Sequence, residues 1–140
     1  MSRPPARLAE TGWFVETSAL VAILLREPEW RLFVDAVAAG SCKTGAFNVF
    51  EASLAMASRK AVAVGDAHAL VAALVQESAI EIVPFTPEMI PHAIAARERF
   101  GRGRDGLNLG DCLSYAAAKQ LGLRRLHKGD DFAATDVNDG

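Results

Sequence analysis

"LNLGDCLSYAAAKQLGLRRLH", Leu107 to His127, sets a helix against a short strand with a single glycine, Gly122, between them. Apolar residues recur at Leu109, Cys112, Leu113, Ala116, Ala117 and Leu121, the three-and-four spacing of a helix that turns one stripe to a core. "LRRLH" (123–127) then reads as a strand. Asp111 stands alone at the mouth of this otherwise apolar helix. Its plain reading is a capping or first-turn acid, favoured by the partial positive charge and unpaired N–H groups of a helix N-terminus.

The same alternation runs outward from this unit. "WFV" (13–15) is a short buried strand, and Thr17 is the expected N-cap of the helix "SALVAILLRE". Pro28 stops that helix and opens "EPEWRLFVDAVAAG", which ends at Gly40. "SCKTGAF" is a strand candidate. "NVFEASLAMASRK" is a helix with Asn48 near its start, and Gly65 or Asp66 opens another through "AHALVAALVQES". "IEIVPF" (80–85) is a strand, and "PEMIPHAIAARERFG" a helix ended by Gly101, with "GRGRDG" as the loop into the opening stretch. Strands separated by helices predict an α/β fold, a parallel sheet with helices on both faces.

Length and composition agree with one globular domain. A chain of 140 residues with 51% hydrophobic and 23% charged residues can bury a real core. The longest apolar run, "ALVAILL" (19–25), is far below the ~20 residues that span a bilayer, so no membrane partner is expected. Residues 1–12 carry no apolar segment joined to a cleavage site and read as a flexible leader or a cloning remnant, leaving 13–140 as the domain. Cys42 and Cys112 lack metal-site spacing and read as reduced core thiols of a cytoplasmic protein.

In an open α/β sheet the functional crevice lies beyond the carboxyl ends of the strands. Four acids fall at or near such places: Glu16 after "WFV", Glu51 one turn into the helix after the second strand, Asp111, and Asp130 after "LRRLH". Like charges gathered on one rim repel by several kcal/mol at ~4 Å unless a cation balances them. Mg²⁺ or Mn²⁺, hard ions with oxygen ligands, meet that need.

These residues also carry a resemblance. "FVETSALVAILLREPE", "FEASLAMASRK", "LNLGDCLSYAAAKQLG" and "LHKGDDFAATDV" together resemble the PIN-domain family, and within it the VapC-type ribonuclease toxins of bacterial toxin–antitoxin systems. The resemblance spans residues 14 to 137. It implies a three-layer α/β/α sandwich around a short, mostly parallel sheet, and cleavage of RNA with Mg²⁺ or Mn²⁺ held by clustered acids. Carried across by motif, the catalytic and metal-binding acids are Glu16, Glu51, Asp111 and Asp130, with Thr17 and Ser18 as supporting hydroxyls. Asp131 is the other candidate for the fourth acid, although beside Phe132 it can instead cap the following turn. The resemblance further implies a homodimer and a VapB-type antitoxin that lies in an apolar groove. The apolar helices "SALVAILL" and "VFEASLAMA" are expected to offer the exposed faces.

One position departs from the family pattern: Glu16 stands where aspartate is usual. The added methylene moves the carboxylate by more than the ~0.5 Å tolerance of a preorganised site. Either the metal shifts, a water is lost, or activity falls. The alternative function is therefore a catalytically impaired domain that only binds RNA or its antitoxin. A net charge of −2 is unusual for a nucleic-acid enzyme. Locally the balance reverses: between Arg97 and Lys128, Arg97, Arg99, Arg102, Arg104, Lys119, Arg124, Arg125 and Lys128 face only Glu98, Asp105 and Asp111. Arg102 and Arg104, in the loop before Asp111, are the expected RNA contacts, and Arg97 and Arg99 read as solvated helix residues. Haloacid-dehalogenase-like phosphatases also use acids at strand ends, but they need an aspartate nucleophile where this chain reads "VETSAL". A phosphorelay receiver would likewise need a phosphorylatable aspartate at a central strand end. No Ser/His/Asp or Cys/His arrangement recommends itself.

Overall fold

The computed structural model of the chain describes residues 12–101 and 107–128. Four strands alternate with six helices: β1 (Trp13–Val15), α1 (Thr17–Leu25), α2 (Trp30–Ala38), β2 (Cys42–Gly45), α3 (Ala46–Lys60), α4 (Val64–Glu77), β3 (Glu81–Val83), α5 (Ile90–Phe100), α6 (Leu109–Leu121) and β4 (Arg124–Leu126). A 3₁₀ turn at Pro87–Met89 leads into α5. The strands form one sheet in the order β3-β2-β1-β4, and every pairing is parallel. The expected architecture is therefore met, with "mostly parallel" sharpened to wholly parallel among the described residues.

The layers follow from the two-residue period of β1. Phe14 and Val15 point to opposite faces, and each is fully buried. Val15 joins Leu20, Met56 and Val71 in the core beneath α1 to α4, whereas Phe14 packs with Met89, Leu107 and Tyr115 beneath α5 and α6. Two cores on one sheet make the three layers.

Several element ends differ from expectation. Glu16, not Thr17, is the N-cap residue of α1; its carbonyl accepts the amides of Ala19 and Leu20, both at 3.1 Å. α4 opens at Val64, with Asp66 inside its first turn. On α6 the buried face comprises Cys112, Ser114, Tyr115, Ala116, Ala117 and Ala118, while Leu109 is 73% exposed. Leu109 lies in the first turn, beside the pocket described below and outside the packed part of the helix. On α1, Ala19 to Ala22 are buried and Ile23 to Leu25 half-buried against the chain's own layers, so "SALVAILL" exposes no large apolar side chain fully. α3 does: Phe50 is 62% and Leu54 43% exposed.

Candidate active site

Three connections bring the expected acids to one end of the sheet. β1 ends at Val15, and the next residue, Glu16, begins the turn into α1, its amide donating to the Leu126 carbonyl of β4 at 2.9 Å. β2 runs straight into α3, which carries Glu51. Asp111 lies in the first turn of α6. Glu16, Glu51 and Asp111 all line one pocket of about 340 Å³, together with Thr17, Ser18, Asn108 and Gly110. Asp130, Asp131, Arg102 and Arg104 lie outside the described residues.

A hydrogen-bond chain that runs inward from the pocket fixes Glu51. The Thr17 hydroxyl donates to Glu51 Oε1 at 2.7 Å and accepts from Asn48 Nδ2 at 3.0 Å. The same amide nitrogen donates to the Ser114 hydroxyl at 3.1 Å, and Asn48 Oδ1 accepts the Gly45 amide at 3.1 Å. Asn48 and Ser114 are buried, so this chain ties α1, α3 and α6 together in surroundings where each bond is strong and each omission costly. Gly110 completes the arrangement. A Cβ there would strike the Glu51 carboxylate, so the missing side chain is what lets that carboxylate reach the first turn of α6. A helix N-terminus favours negative charge.

The supporting hydroxyls divide their work. Thr17 holds Glu51, as above. Ser18 instead accepts the Lys128 amide at 2.8 Å and fixes the chain as it leaves β4 toward residue 130. Asp111 is a first-turn acid after all. Its Oδ2 accepts the Asn108 amide at 3.1 Å, and its own amide donates to Asn108 Oδ1 at 2.8 Å, a reciprocal capping box with Asn108 as N-cap. Asp111 thus caps α6 and lines the pocket.

Residues outside the sequence expectations complete the walls. Glu27 lies just past α1 and joins two cations: Lys128 Nζ to its Oε1 at 2.7 Å, and Arg59 to its Oε2 at 3.2 Å. The Lys128 hydrogen bond, opposed in part by burial and aided by Arg59, holds the Glu27 carboxyl below the usual glutamate range. All three line the pocket. Behind it, Arg125 of β4 is completely buried and pairs with Glu16, Nη1 to Oε2 at 3.6 Å. Counted in the sequence among a local run of basic residues, it is interior. Arg124 keeps to the surface reading, its guanidinium over the Trp13 ring at 4.2 Å.

The carboxylates and hydroxyls on this pocket are the hard oxygen ligands that Mg²⁺ and Mn²⁺ take, and the Asn108 amide and the His127 imidazole line it beside them. In that respect, and in the close approach of Glu51 that Gly110 allows, the residues fit a divalent cation. Among the described residues no three acidic, histidine or cysteine side chains converge closely enough to hold an ion by themselves. Cys42 and Cys112 are free and buried, and burial pushes the Cys42 thiol up from its ordinary range, as expected of inert core thiols. No helix among the described residues is long and apolar enough to cross a membrane.

Comparison with known proteins accords with this geometry. The sequence model of the PIN domain matches residues 13–138. A Ribonuclease VapC of Mycolicibacterium smegmatis is 36% identical over 126 residues, covering 88% of this chain and 95% of that protein. A VapC ribonuclease of Rhizobium meliloti is 32% identical, covering 89% and 98%. The crystal structure of Mycobacterium tuberculosis VapC20, described as a Sarcin-Ricin loop cleaving toxin, superposes with a TM-score of 0.69 over 92% of this chain and 98% of that one; at 16% identity it speaks for the fold alone. With a domain-length sequence match, close kin of near-equal length and the same parallel sandwich, the chain belongs to the PIN domain family, among the VapC ribonucleases.

Proposed function

We propose that the protein is a Mg²⁺- or Mn²⁺-dependent endoribonuclease, the toxin of a VapBC-type toxin–antitoxin pair acting in the cytoplasm. One observation carries this reading most: Glu16, Glu51 and Asp111, brought from three separate connections, open on one pocket at the carboxyl end of a parallel sheet. The kinship with VapC ribonucleases supports the same reading. Glu16, Glu51 and Asp111 would hold the cation, with Asp130 as the fourth acid. When bound, such an ion supplies activation of the attacking water and neutralisation of charge on the phosphoryl group.

The chain's own residues provide the rest. Thr17 and Asn48 keep Glu51 from swinging away, and the Asn108 box does the same for Asp111. Arg59 and Lys128, on the pocket wall with Glu27, would meet the phosphates of a strand crossing the opening, and the sequence position of Arg102 and Arg104 before α6 supports the same role for them. A VapB-type antitoxin and a second copy of the chain are the proposed partners.

The test is cleavage of a structured RNA. Endonucleolytic products with 5′ phosphate and 3′ hydroxyl ends are expected in Mg²⁺ or Mn²⁺, and none in EDTA. Cleavage that survives chelation, or cyclic phosphate ends, would refute the metal mechanism. The buried pairing of Glu16 with Arg125 favours a second reading, an impaired domain that binds RNA without cutting it. A wild type that stays silent while Glu16→Asp cuts would decide for it.

A further inference from the structure

Arg125 is an unexpected occupant of its position. It lies on β4 directly opposite Phe14 of β1, in a stretch of sheet that is otherwise packed with apolar side chains, and no part of its side chain reaches solvent. Burying a guanidinium is costly unless a fixed anion and hydrogen bonds compensate it. Strand alternation supplies the anion. Phe14 and its register partner Arg125 share a face, and Glu16, two residues beyond Phe14, returns to that face at the pocket's edge. Glu16 Oε2 then stands 3.6 Å from Arg125 Nη1, with the carboxylate itself only 6% exposed. One carboxylate therefore faces a built-in cation from within the sheet and borders the acidic pocket on the other side.

We propose that Arg125 is a positioning residue of the acidic pocket: it serves as an internal counter-ion that holds Glu16 when no metal is bound and sets a lower affinity for the divalent cation. This inference rests on the reading of Glu16 as a cation ligand. Two cations that share a carboxylate oppose each other, and the coupling is reciprocal: Arg125 weakens the binding of the ion, and the ion loosens the hold of Arg125 on Glu16. The longer reach of glutamate at position 16 suits this double duty, because its carboxylate can remain against the guanidinium while bordering the pocket.

The experiment is a double-mutant cycle on the full chain, with Glu16→Gln, Arg125→Met and the double variant, read by urea unfolding in EDTA and by calorimetric Mn²⁺ titration. In EDTA each single change should lower the unfolding midpoint, and the double variant should lose clearly less than the two singles combined, since the two side chains pair with each other. Arg125→Met should bind Mn²⁺ about tenfold more tightly than wild type, within the usual range of coupling between sites. Arg125→Lys, which keeps the charge, should stay close to wild type in Mn²⁺ affinity and also serves if the methionine variant does not fold. Leu20→Ala, a core truncation under α1, should lower stability without moving the Mn²⁺ affinity. Additive effects in EDTA, or an Arg125→Met protein whose Mn²⁺ affinity is unchanged or weaker, would overturn the proposal while leaving the metal reading intact. A wild type that ignores Mn²⁺ would overturn both.

Discussion

Gly110 occupies a helical position at which alanine would ordinarily stabilise the chain by about 1 kcal/mol. Here the added methyl would meet the Glu51 carboxylate, which the Thr17 hydroxyl holds from the other side. Gly110→Ala should therefore cost cleavage at least tenfold while leaving the melting temperature in EDTA within a few degrees of wild type. Paired melting curves and RNA digests check this, and unaltered cleavage would mean that Glu51 has no fixed place in the site. Asp111 poses the companion question. In Asp111→Asn the new side-chain carbonyl would still accept the Asn108 amide, and removal of a charge beside Glu51 and Glu16 offsets the lost attraction to the helix N-terminus. The net stability change in EDTA should stay within ~1 kcal/mol. The rise in melting temperature caused by Mn²⁺, expected in wild type through preferential binding to the folded state, should vanish in Asp111→Asn. A variant that keeps both that rise and RNA cleavage would leave Asp111 as a cap alone. That Glu16, Glu51 and Asp111 share one pocket was legible in the sequence, because Glu16 follows a strand end, Asp111 lies in a first helical turn and Glu51 sits on the helix that leaves β2. Arg125 was not, because its environment comes from the pairing of β4 with β1, more than a hundred residues apart, which no local pattern encodes.

Among the elements, strands and helices were readable from period and punctuation, and their ends were not. α1 and α3 close on Arg26 and Ala61 in the left-handed region, φ 54° at each, where the C-cap signal is normally glycine. The stretch just past α1 also carries Glu27, which joins α1 to the end of α3 through Arg59 and to the chain beyond β4 through Lys128. As an acid whose folded pKa is lowered, mainly by Lys128, Glu27 contributes stability that is present above its unfolded pKa and is lost as pH falls through the lower folded one. Its partners are part-exposed, so the contribution is about 1 kcal/mol at neutral pH. Glu27→Gln should show that deficit at pH 7, and the deficit should disappear as the pH drops through and below the ordinary glutamate range. Urea midpoints of both proteins across that range check it. A deficit that persists at the acid end would mean Glu27 acts by packing rather than charge.

At the scale of the whole molecule, apolar surface decides what the domain can join. The sequence offered two apolar helices as candidate interfaces, and α3 leaves the larger apolar side chains exposed. α1 is largely covered by the chain's own layers, because α2, α3 and α4 all pack on it. α3 retains Phe50 and Leu54 at its surface, and beside them Val64 and Leu70 of α4 are also exposed. Phe50 and Val64 border a concave pocket of about 420 Å³ whose lining is largely apolar. A stable dimer buries about 800 Å² on each partner, with aromatic side chains near its centre. Phe50 is the aromatic side chain placed to supply that centre in a proposed homodimer. Phe50→Asp should then turn a dimer into a monomer at micromolar concentration by light scattering. Because its side chain lies outside the core, the far-ultraviolet spectrum and the melting temperature extrapolated to low protein concentration should stay near those of wild type. Glu51, next to Phe50 on the same helix, lines the acidic pocket, whereas Phe50 lines the apolar one, so the two surfaces are distinct. Cleavage per chain by Phe50→Asp should consequently remain within about twofold of wild type once RNA is saturating, since truncations at an interface act on association rather than on chemistry. A Phe50→Asp protein that still scatters as a dimer would move the interface off α3 and leave these exposed residues for the antitoxin.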